Sequence, residues 1–154
     1  MTGELTYISA LPEDSDLLTQ TALRSKQSWG YSDDLMQLWA EDLAVSKIFI
    51  AENNVFKVFD GEQFIGFYGL KIAGETQIEL EHLWLLPDKK QQGYGRQLFK
   101  HIREQVVQAG QNSFRLTADP NAKPFYDKMG GVIVGKFQSK INGRFLDIYE
   151  FNAL

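Results

Sequence analysis

Two glutamates in one strand-like run, Glu79 and Glu81, are the residues best placed for chemistry in this chain. A β-strand points alternate side chains to one face, so both carboxylates are predicted to share a face with Leu83 and Leu85. Neighbouring carboxylates suit general acid–base chemistry, although the same pattern is typical of the solvent-facing side of a half-buried sheet. His82 is predicted on the opposite, apolar face as a hydrogen-bonded core residue, unless a bulge changes the alternation.

A glycine-spaced turn, Gly93-Tyr94-Gly95, separates this run from a predicted helix. Glycine has no Cβ, so the backbone can approach a ligand closely, and the first N–H groups of the helix point outward at its positive end. This arrangement predicts a pyrophosphate site, with an ordinary strand-to-helix turn as the alternative. ATP and NAD are poorly supported, because the spacing matches neither a Walker loop nor a Rossmann turn. We call the predicted site the cradle; it comprises Lys90, Gln91, Gln92, Gly93, Tyr94, Gly95 and Arg96.

Composition narrows the classes of function. The chain has 154 residues, 44% of them hydrophobic, and a net charge of −4, which argues against broad binding to nucleic acid or to anionic membranes. There is no cysteine and there are two histidines, so thiol catalysis, disulfides and a zinc centre are not expected. We find no charged-then-apolar leader and no apolar run near the roughly 20 residues of a membrane span. A cytoplasmic protein without a membrane partner is therefore expected.

The elements that must position these residues follow from hydrophobic periodicity and turn signals. Turns are predicted at Gly74 and at Asn142-Gly143, among others. Helices are predicted over residues 14–26, 32–45, 95–109 and 122–129, with Ser32 as an N-cap. Strands are predicted over 5–9, 47–52, 55–60, 64–72, 77–86, 113–117, 132–137 and 144–151. If 47–52 and 55–60 form one interrupted strand, the order is β-α-α-β-β-β-α-β-α-β-β.

Two segments together resemble a known family. KQQGYG, residues 90–95, resembles the Q/R-x-x-G-x-G/A motif of the GNAT superfamily of N-acetyltransferases and follows a strand that ends before Pro87. NAKPFYDKMGG, residues 121–131, resembles the second signature of that family. Lys90 departs from the usual Gln or Arg, and a lysine would serve a phosphate as a point charge without the planar fork. The resemblance covers most of the chain, although residues 1–60 match by pattern more than by motif.

The resemblance implies a mixed α/β fold whose central, mostly antiparallel sheet contains a splayed pair of parallel strands that binds acetyl-CoA. In this chain the pair would be the strand ending at Leu86 and the strand starting at Ser113. Backbone groups left unpaired at a splay need another partner. Main-chain groups of Leu83 and Leu85 are therefore expected to bind the pantetheine arm of acetyl-CoA, the expected co-substrate.

The resemblance also implies the catalytic groups. An amine that attacks a thioester must be neutral and must lose a proton, and the departing thiolate must be stabilised. The base of the family matches Glu79 or Glu81, with the choice open, and its general acid matches Tyr126. The alternative for Tyr126 is a tyrosine packed under a short helix. Asn121, one residue before Ala122, would contact CoA or cap that helix.

The acceptor site is predicted from one aromatic segment. Trp29-Gly30-Tyr31 resembles the variable acceptor-binding segment of the family, and with the two glutamates it would form an aromatic, acidic site for a cationic amine. The alternative is that Trp29 and Trp39 belong to the core and that Tyr31 lies on the surface.

These inferences predict a single domain over residues 1–154 that acts as an acetyl-CoA-dependent N-acetyltransferase on a small-molecule amine or an exposed protein amine. The alternative is a non-catalytic CoA-binding sensor or partner module. No nucleic-acid partner is expected. Exposed edges at the last two predicted strands favour pairing into a homodimer.

Overall fold

The structure, a computed structural model, describes residues 3–72, 76–141 and 143–154. The strands are β1 (Leu5–Ser9), β2 (Asn54–Asp60), β3 (Gln63–Lys71), β4 (Ile78–Leu85), β5 (Ser113–Thr117), β6 (Val132–Gln138) and β7 (Phe145–Asn152). The α-helices are α1 (Ser15–Gln27), α2 (Asp33–Leu43), α3 (Lys47–Glu52), α4 (Gly95–Gln108) and α5 (Lys123–Lys128). Across the described residues, seven strands form one sheet in the order β1-β2-β3-β4-β5-β7-β6. Every neighbouring pair is antiparallel except β4 with β5.

The parallel strands β4 and β5 are paired over a short distance only. Ile78 pairs with Phe114 and Glu79 pairs with Arg115, and no further pairing between the two strands occurs in the described part of the chain. β5 continues along β7 instead. The sheet therefore opens at its centre and leaves the Leu80–Leu85 backbone without a strand partner on that side. The predicted splayed parallel pair is confirmed.

Two apolar cores cover the sheet, one on each face. The first, which we call the α4 core, packs Leu98, Phe99 and Ile102 of α4 against the sheet. The second, which we call the α1–α3 core, contains Leu18 of α1 and Trp39 of α2. Apolar side chains three and four residues apart lie on one side of a helix, which explains why α4 presents a continuous stripe. Each large apolar side chain that is fully buried contributes roughly 1.5–3 kcal/mol.

A bulge at Glu81 interrupts the pairing of β4 with β3. Gly69 faces His82 and Leu70 faces Leu80, so Glu81 is an extra residue on β4. An extra residue reverses the alternation of the side chains that follow it.

The two faces of β4 therefore differ from the prediction. Leu80 before the bulge and Leu83 and Leu85 after it all pack in the α4 core. Trp84 packs in the α1–α3 core, and His82 lies on the same side. The prediction that Leu83 and Leu85 share a face with the glutamates is wrong, because it assumed a strand without a bulge.

One element was predicted wrongly. Residues 47–52, predicted as a strand, form helix α3. Ser46 is its N-cap, since the Ser46 Oγ accepts a hydrogen bond from the Phe49 N–H at 3.0 Å. Over six residues the periods of a helix and of a strand are hard to separate, and the branched Ile48 and Ile50 favoured the strand. The observed order is β-α-α-α-β-β-β-α-β-α-β-β.

The predicted N-cap of the second helix is confirmed. Ser32 caps α2, with its Oγ accepting from the Leu35 N–H at 3.3 Å. The turns predicted at Gly74 and Asn142 lie outside the described residues. None of the helices described here is both long and apolar enough to cross a lipid bilayer.

Strand β6 at the edge of the sheet exposes unusual amounts of apolar surface. Val132, Ile133, Val134 and Phe137 are each between 45% and 63% exposed. Such an edge favours association, but the homodimer stays a prediction, which sedimentation velocity tests.

His82 is a core residue, as the apolar pattern predicted. It is 4% exposed, and its ring lies 5.6 Å from that of Phe49 and 5.8 Å from that of Phe67. Its Nδ1 accepts a hydrogen bond from Nε1 of Trp84 at 3.1 Å. Burial lowers the pKa of His82 to about 4, so the ring is neutral near pH 7.

The pKa of His82 makes the stability of the fold depend on pH. Unfolded histidine has a pKa of about 6.5, so between pH 6.5 and 4 the unfolded chain binds a proton that the folded chain does not. The free energy of unfolding should therefore fall as the pH decreases through this window. The variant His82→Asn keeps an acceptor for Trp84 but does not titrate. Between pH 7 and pH 5 its free energy of unfolding, measured with urea, should fall by about 2 kcal/mol less than that of the unaltered protein. Equal falls in both proteins would show that His82 is not held neutral by the fold.

Candidate active site

A cleft of about 1490 Å³ opens where β4 and β5 part. Its walls are β4, the cradle, the ends of α1 and β5, helices α2 and α5, and the connection between β6 and β7. Of the residues predicted from sequence, Gln92 and Tyr31 do not line the cleft. Those that line it are Trp29, Glu79, Glu81, Leu83, Leu85, Lys90, Gln91, Gly93, Tyr94, Gly95, Arg96, Asn121 and Tyr126.

The cradle has the backbone geometry of an anion site. Gln91 has a φ of 60° and Gly93 a φ of 84°, both in the left-handed region that glycine adopts readily. The first backbone bond of α4 runs from the Leu98 N–H to the Tyr94 carbonyl at 3.0 Å. The N–H groups of the residues just before Leu98 therefore have no acceptor within the helix, and the positive end of the helix dipole lies behind them.

Gly95 has a packing role that the sequence did not indicate. A Cβ at this position would lie 2.3 Å from Cε1 of Phe125, so the missing side chain lets α5 pack against the start of α4. The Tyr94 side chain is buried, and its hydroxyl donates to Oδ2 of Asp60 at 2.8 Å. The side chain of Gln92 donates to the Asp88 carbonyl. What the cradle offers a ligand at these positions is therefore main chain, not side chain.

Lys90 lies between the cradle and helix α1. Its Nζ donates to the Ser25 carbonyl at 2.8 Å and to Oγ of Ser28 at 2.7 Å, and it sits 4.0 Å from the centre of the Trp29 ring. Burial lowers the pKa of Lys90 to about 8. Lys90 thus ties the cradle to the C-terminal end of α1, and the point charge predicted for a phosphate is engaged elsewhere. Arg96, exposed in the first turn of α4, has no ion-pair partner among the described residues.

Glu79 and Glu81 both line the cleft, and their carboxyl groups lie close enough together to form a hydrogen bond once one of them is protonated. Two carboxyl groups can bond in this way only when they share a proton. The surrounding cleft walls, and next the charge of Glu79, raise the pKa of Glu81 above its ordinary value, while Lys71 opposes the shift. The bulge places Glu81 at the opening between β4 and β5. The pair can therefore take up a proton at the mouth of the splay.

Tyr126 packs among aromatic side chains and also lines the cleft. Its ring packs 5.8 Å from that of Tyr149 and 6.1 Å from that of Phe151. Its hydroxyl makes no hydrogen bond to any described residue, and the side chain lines the cleft. Burial raises the pKa of Tyr126, so the hydroxyl carries its proton throughout the physiological range. Tyr126 is both a packed tyrosine and an available proton donor.

A network around Asp119 was not predicted from the sequence. Asp119 follows β5 and accepts from Nζ of Lys26 at 2.5 Å, from the Tyr31 hydroxyl at 3.0 Å and from the Asn121 N–H at 2.8 Å. Burial opposes the ionised form, but these hydrogen bonds outweigh it and lower the pKa of Asp119. Lys26 also lies over the Trp39 ring, at 4.5 Å from its centre. The Asp-Pro pair one residue after β5 was the available signal, because such pairs favour a turn that the Asp side chain caps.

The structure resolves two alternatives that the sequence left open. The single-turn helix before α5 is capped by Asp119, and α5 itself has no side-chain cap, so the interpretation of Asn121 as a cap is wrong. Asn121 Nδ2 donates instead to the Tyr31 hydroxyl at 2.9 Å. The alternative interpretation placed both Trp29 and Trp39 in the core. Trp39 is in the core, whereas Trp29 is half-exposed and lines the cleft.

The family with the description "Acetyltransferase (GNAT) domain" matches residues 27–147, and the chain belongs to this family. It is accordingly an acetyltransferase. No curated protein sequence matches this chain.

Solved structures show the same fold at low sequence identity. A GCN5-related N-acetyltransferase from Rhodopseudomonas palustris has a TM-score of 0.80 and 21% identity, covering 99% of this chain and 98% of its own. PaiA N-acetyltransferase from Thermoplasma acidophilum, solved with coenzyme A, has a TM-score of 0.77 and 21% identity, covering 97% and 99%. Spermidine N-acetyltransferase from Vibrio cholerae, solved with CoA and spermine, has a TM-score of 0.68 and 20% identity, covering 97% and 96%. The mixed α/β fold predicted from sequence is confirmed.

The geometry of the cradle gives a test of ligand binding. Valine at Gly93 would be strained at a φ of 84°, and the turn would shift and carry the N–H groups of α4 with it. Gly93→Val should weaken CoA binding by more than about tenfold, equivalent to about 1.4 kcal/mol, in isothermal titration calorimetry.

Gly110→Val is the matched control for this experiment. Gly110 has a φ of 85° with no atom within 4 Å of the added Cβ, so it carries the same backbone strain. It ends α4 away from the cleft. The control should lose stability but keep its affinity for CoA. An unchanged affinity in folded Gly93→Val would remove the assignment of the cradle as the pyrophosphate site.

Proposed function

We propose that this enzyme transfers the acetyl group of acetyl-CoA to a primary amine of a small molecule or of an exposed protein group. The observation that carries the proposal is the opening between β4 and β5, which brings the cradle and the Glu79–Glu81 pair to one cleft. Two of the structurally similar acetyltransferases were solved with CoA, which supports the donor.

The residues at the donor end of the cleft fit CoA. The N–H groups at the start of α4 would hold its pyrophosphate, with Arg96, which forms no ion pair with any described residue, beside them. A cation in the first turn of a helix is repelled by the positive end of the helix dipole, and a bound anion would offset this repulsion. The main-chain groups of Leu83 and Leu85, which β5 leaves without a partner, would bond the amides of the pantetheine arm. CoA supplies a thioester, which activates the acetyl group toward an amine.

Proton transfer falls to groups on the two walls of the cleft. The carboxylate of Glu81, with Glu79 beside it, would accept a proton from the amine as its nitrogen forms the new bond to the acetyl carbon. The Tyr126 hydroxyl would give its proton to the sulfur as the carbon–sulfur bond breaks, and solvent would return the proton. The burial that raises the pKa of Tyr126 would also raise the proton affinity of a thiolate leaving beside it.

The reaction and the base are tested together. Incubation with acetyl-CoA and a panel of primary amines should release free CoA and yield a product heavier by one acetyl group in mass spectrometry. The rate should rise with pH through the raised pKa of Glu81, since the base acts only when deprotonated. In Glu81→Gln this low-pH limb should disappear, whereas Glu79→Gln should keep it and move it to lower pH. CoA binding without release for any amine would support the non-catalytic sensor instead, and a limb unaltered in both variants would exclude the pair as the base.

The general acid has its own test. Tyr126→Phe keeps the ring packing and removes the proton, so kcat should fall on the order of 10² to 10⁴-fold with little change in acetyl-CoA affinity. Tyr149→Phe is the matched control, because the buried Tyr149 packs against Tyr126, outside the lining of the cleft, and donates to Asp127 at 2.7 Å. The control should lose stability and keep kcat. Near-normal turnover in Tyr126→Phe would leave Tyr126 a packing residue only.

A further inference from the structure

The connection between β6 and β7 is fixed against helix α2. Lys140 Nζ forms an ion pair with Oδ2 of Asp42 at 3.1 Å and lies 3.4 Å from the Leu38 carbonyl. Ile141 packs against the α1–α3 core. These contacts hold Lys140 at the border of the cleft, where Arg144 lies 5.7 Å from the centre of the Trp39 ring.

Arg144 is held in place without being neutralised. Its guanidinium lies against Trp39 and close to the Tyr31 hydroxyl, and the residue is half-buried. No carboxylate within the described ranges forms an ion pair with it. The neighbouring cations differ, since Lys26 is paired with Asp119 and Lys140 with Asp42. Arg144 therefore presents to the cleft a charge with which no carboxylate of the described residues forms an ion pair.

Arg144 and the carboxylate pair border the same part of the cleft. Trp39 and Asp42 lie one turn apart on α2, about 5–6 Å between Cβ atoms. Arg144 packs on Trp39, and Asp42 is close enough to Glu81 to affect its ionisation. An acceptor whose amine reaches Glu81 would therefore pass the turn of α2 that carries Trp39 and come within reach of Arg144.

We infer that the acceptor is an amine that also carries a carboxylate, as an amino acid does, and that Arg144 binds this carboxylate. The inference rests on the proposed function and names its substrate class. A planar guanidinium bonds a carboxylate through two parallel hydrogen bonds, and a single unpaired guanidinium matches a single negative charge. A polyamine would instead bring a second ammonium group to Arg144, where like charges repel. The site predicted from sequence as aromatic and acidic would then be acidic at Glu79 and Glu81 and would offer an unpaired cation at Arg144.

Matched acceptors that differ by one carboxylate test the inference on the unaltered enzyme. Lysine and cadaverine form one pair, ornithine and putrescine a second, and spermidine represents the polyamines. In at least one pair, the carboxylated acceptor should show a kcat/KM for CoA release that is at least about tenfold higher than that of the diamine. The difference should lie mainly in KM, because losing a charge-assisted hydrogen bond weakens binding by at least about tenfold. Equal or higher kcat/KM for the diamines and spermidine would overturn the inference and leave the transferase standing. Failure of every amine to release CoA would overturn the proposed function as well.

Variants of Arg144 attribute the preference to this residue. Arg144→Gln should abolish the difference within a pair, change the kcat/KM of the diamine by less than about threefold and leave CoA affinity unaltered. Arg144→Lys should restore part of the difference, because it keeps the charge but loses the fork. Arg24→Gln, which removes an exposed arginine of α1 outside the cleft, controls for net charge and should match the unaltered enzyme. A carboxylate preference that survives in Arg144→Gln would assign the anion site elsewhere and overturn the role of Arg144.

Discussion

The early end of the pairing between β4 and β5 is the constraint on which the site depends. After Ile78 and Glu79 the two strands part, and each must satisfy its backbone by other means. β5 does so with β7, whereas β4 keeps β3 on one side and faces open space on the other. The sheet therefore holds the two strands apart from both sides. The cradle, the carboxylate pair and Tyr126 all lie around this one gap.

Charges around the gap are distributed unevenly, and this unevenness gives each wall its chemistry. Lys26 with Asp119 and Lys140 with Asp42 are neutralised within the protein, so they contribute mainly to structure. The helix start beside Arg96, the closely spaced carboxyl groups of Glu79 and Glu81 and the guanidinium of Arg144 have no such ion pair among the described residues. A ligand that supplies the missing charges can bind without displacing an existing ion pair.

The sequence predicted long elements and local motifs well, because these depend on neighbouring residues. The stripe of α4 and the Ser32 cap are examples, and the turn at Gly93 is another. Helix α3 was too short for its period to be read. The bulge at Glu81 depends on the register with β3, which one strand cannot reveal. The contact of Asp119 with Lys26, 93 residues away in the chain, is likewise set by the fold alone.

The bulge also determines which kinds of sequence change β4 can accept. Removing Glu81 would restore a regular ladder with β3 and would leave Leu83, Trp84 and Leu85 on the faces that they now occupy, because Leu80 and His82 would then be direct neighbours on opposite faces. Removing Leu83 would instead turn Trp84 into the α4 core and Leu85 into the α1–α3 core, each into a space shaped for a different side chain. The extra residue at position 81 is thus not required by the packing of the two cores, and its carboxyl group at the cleft is what its loss would remove.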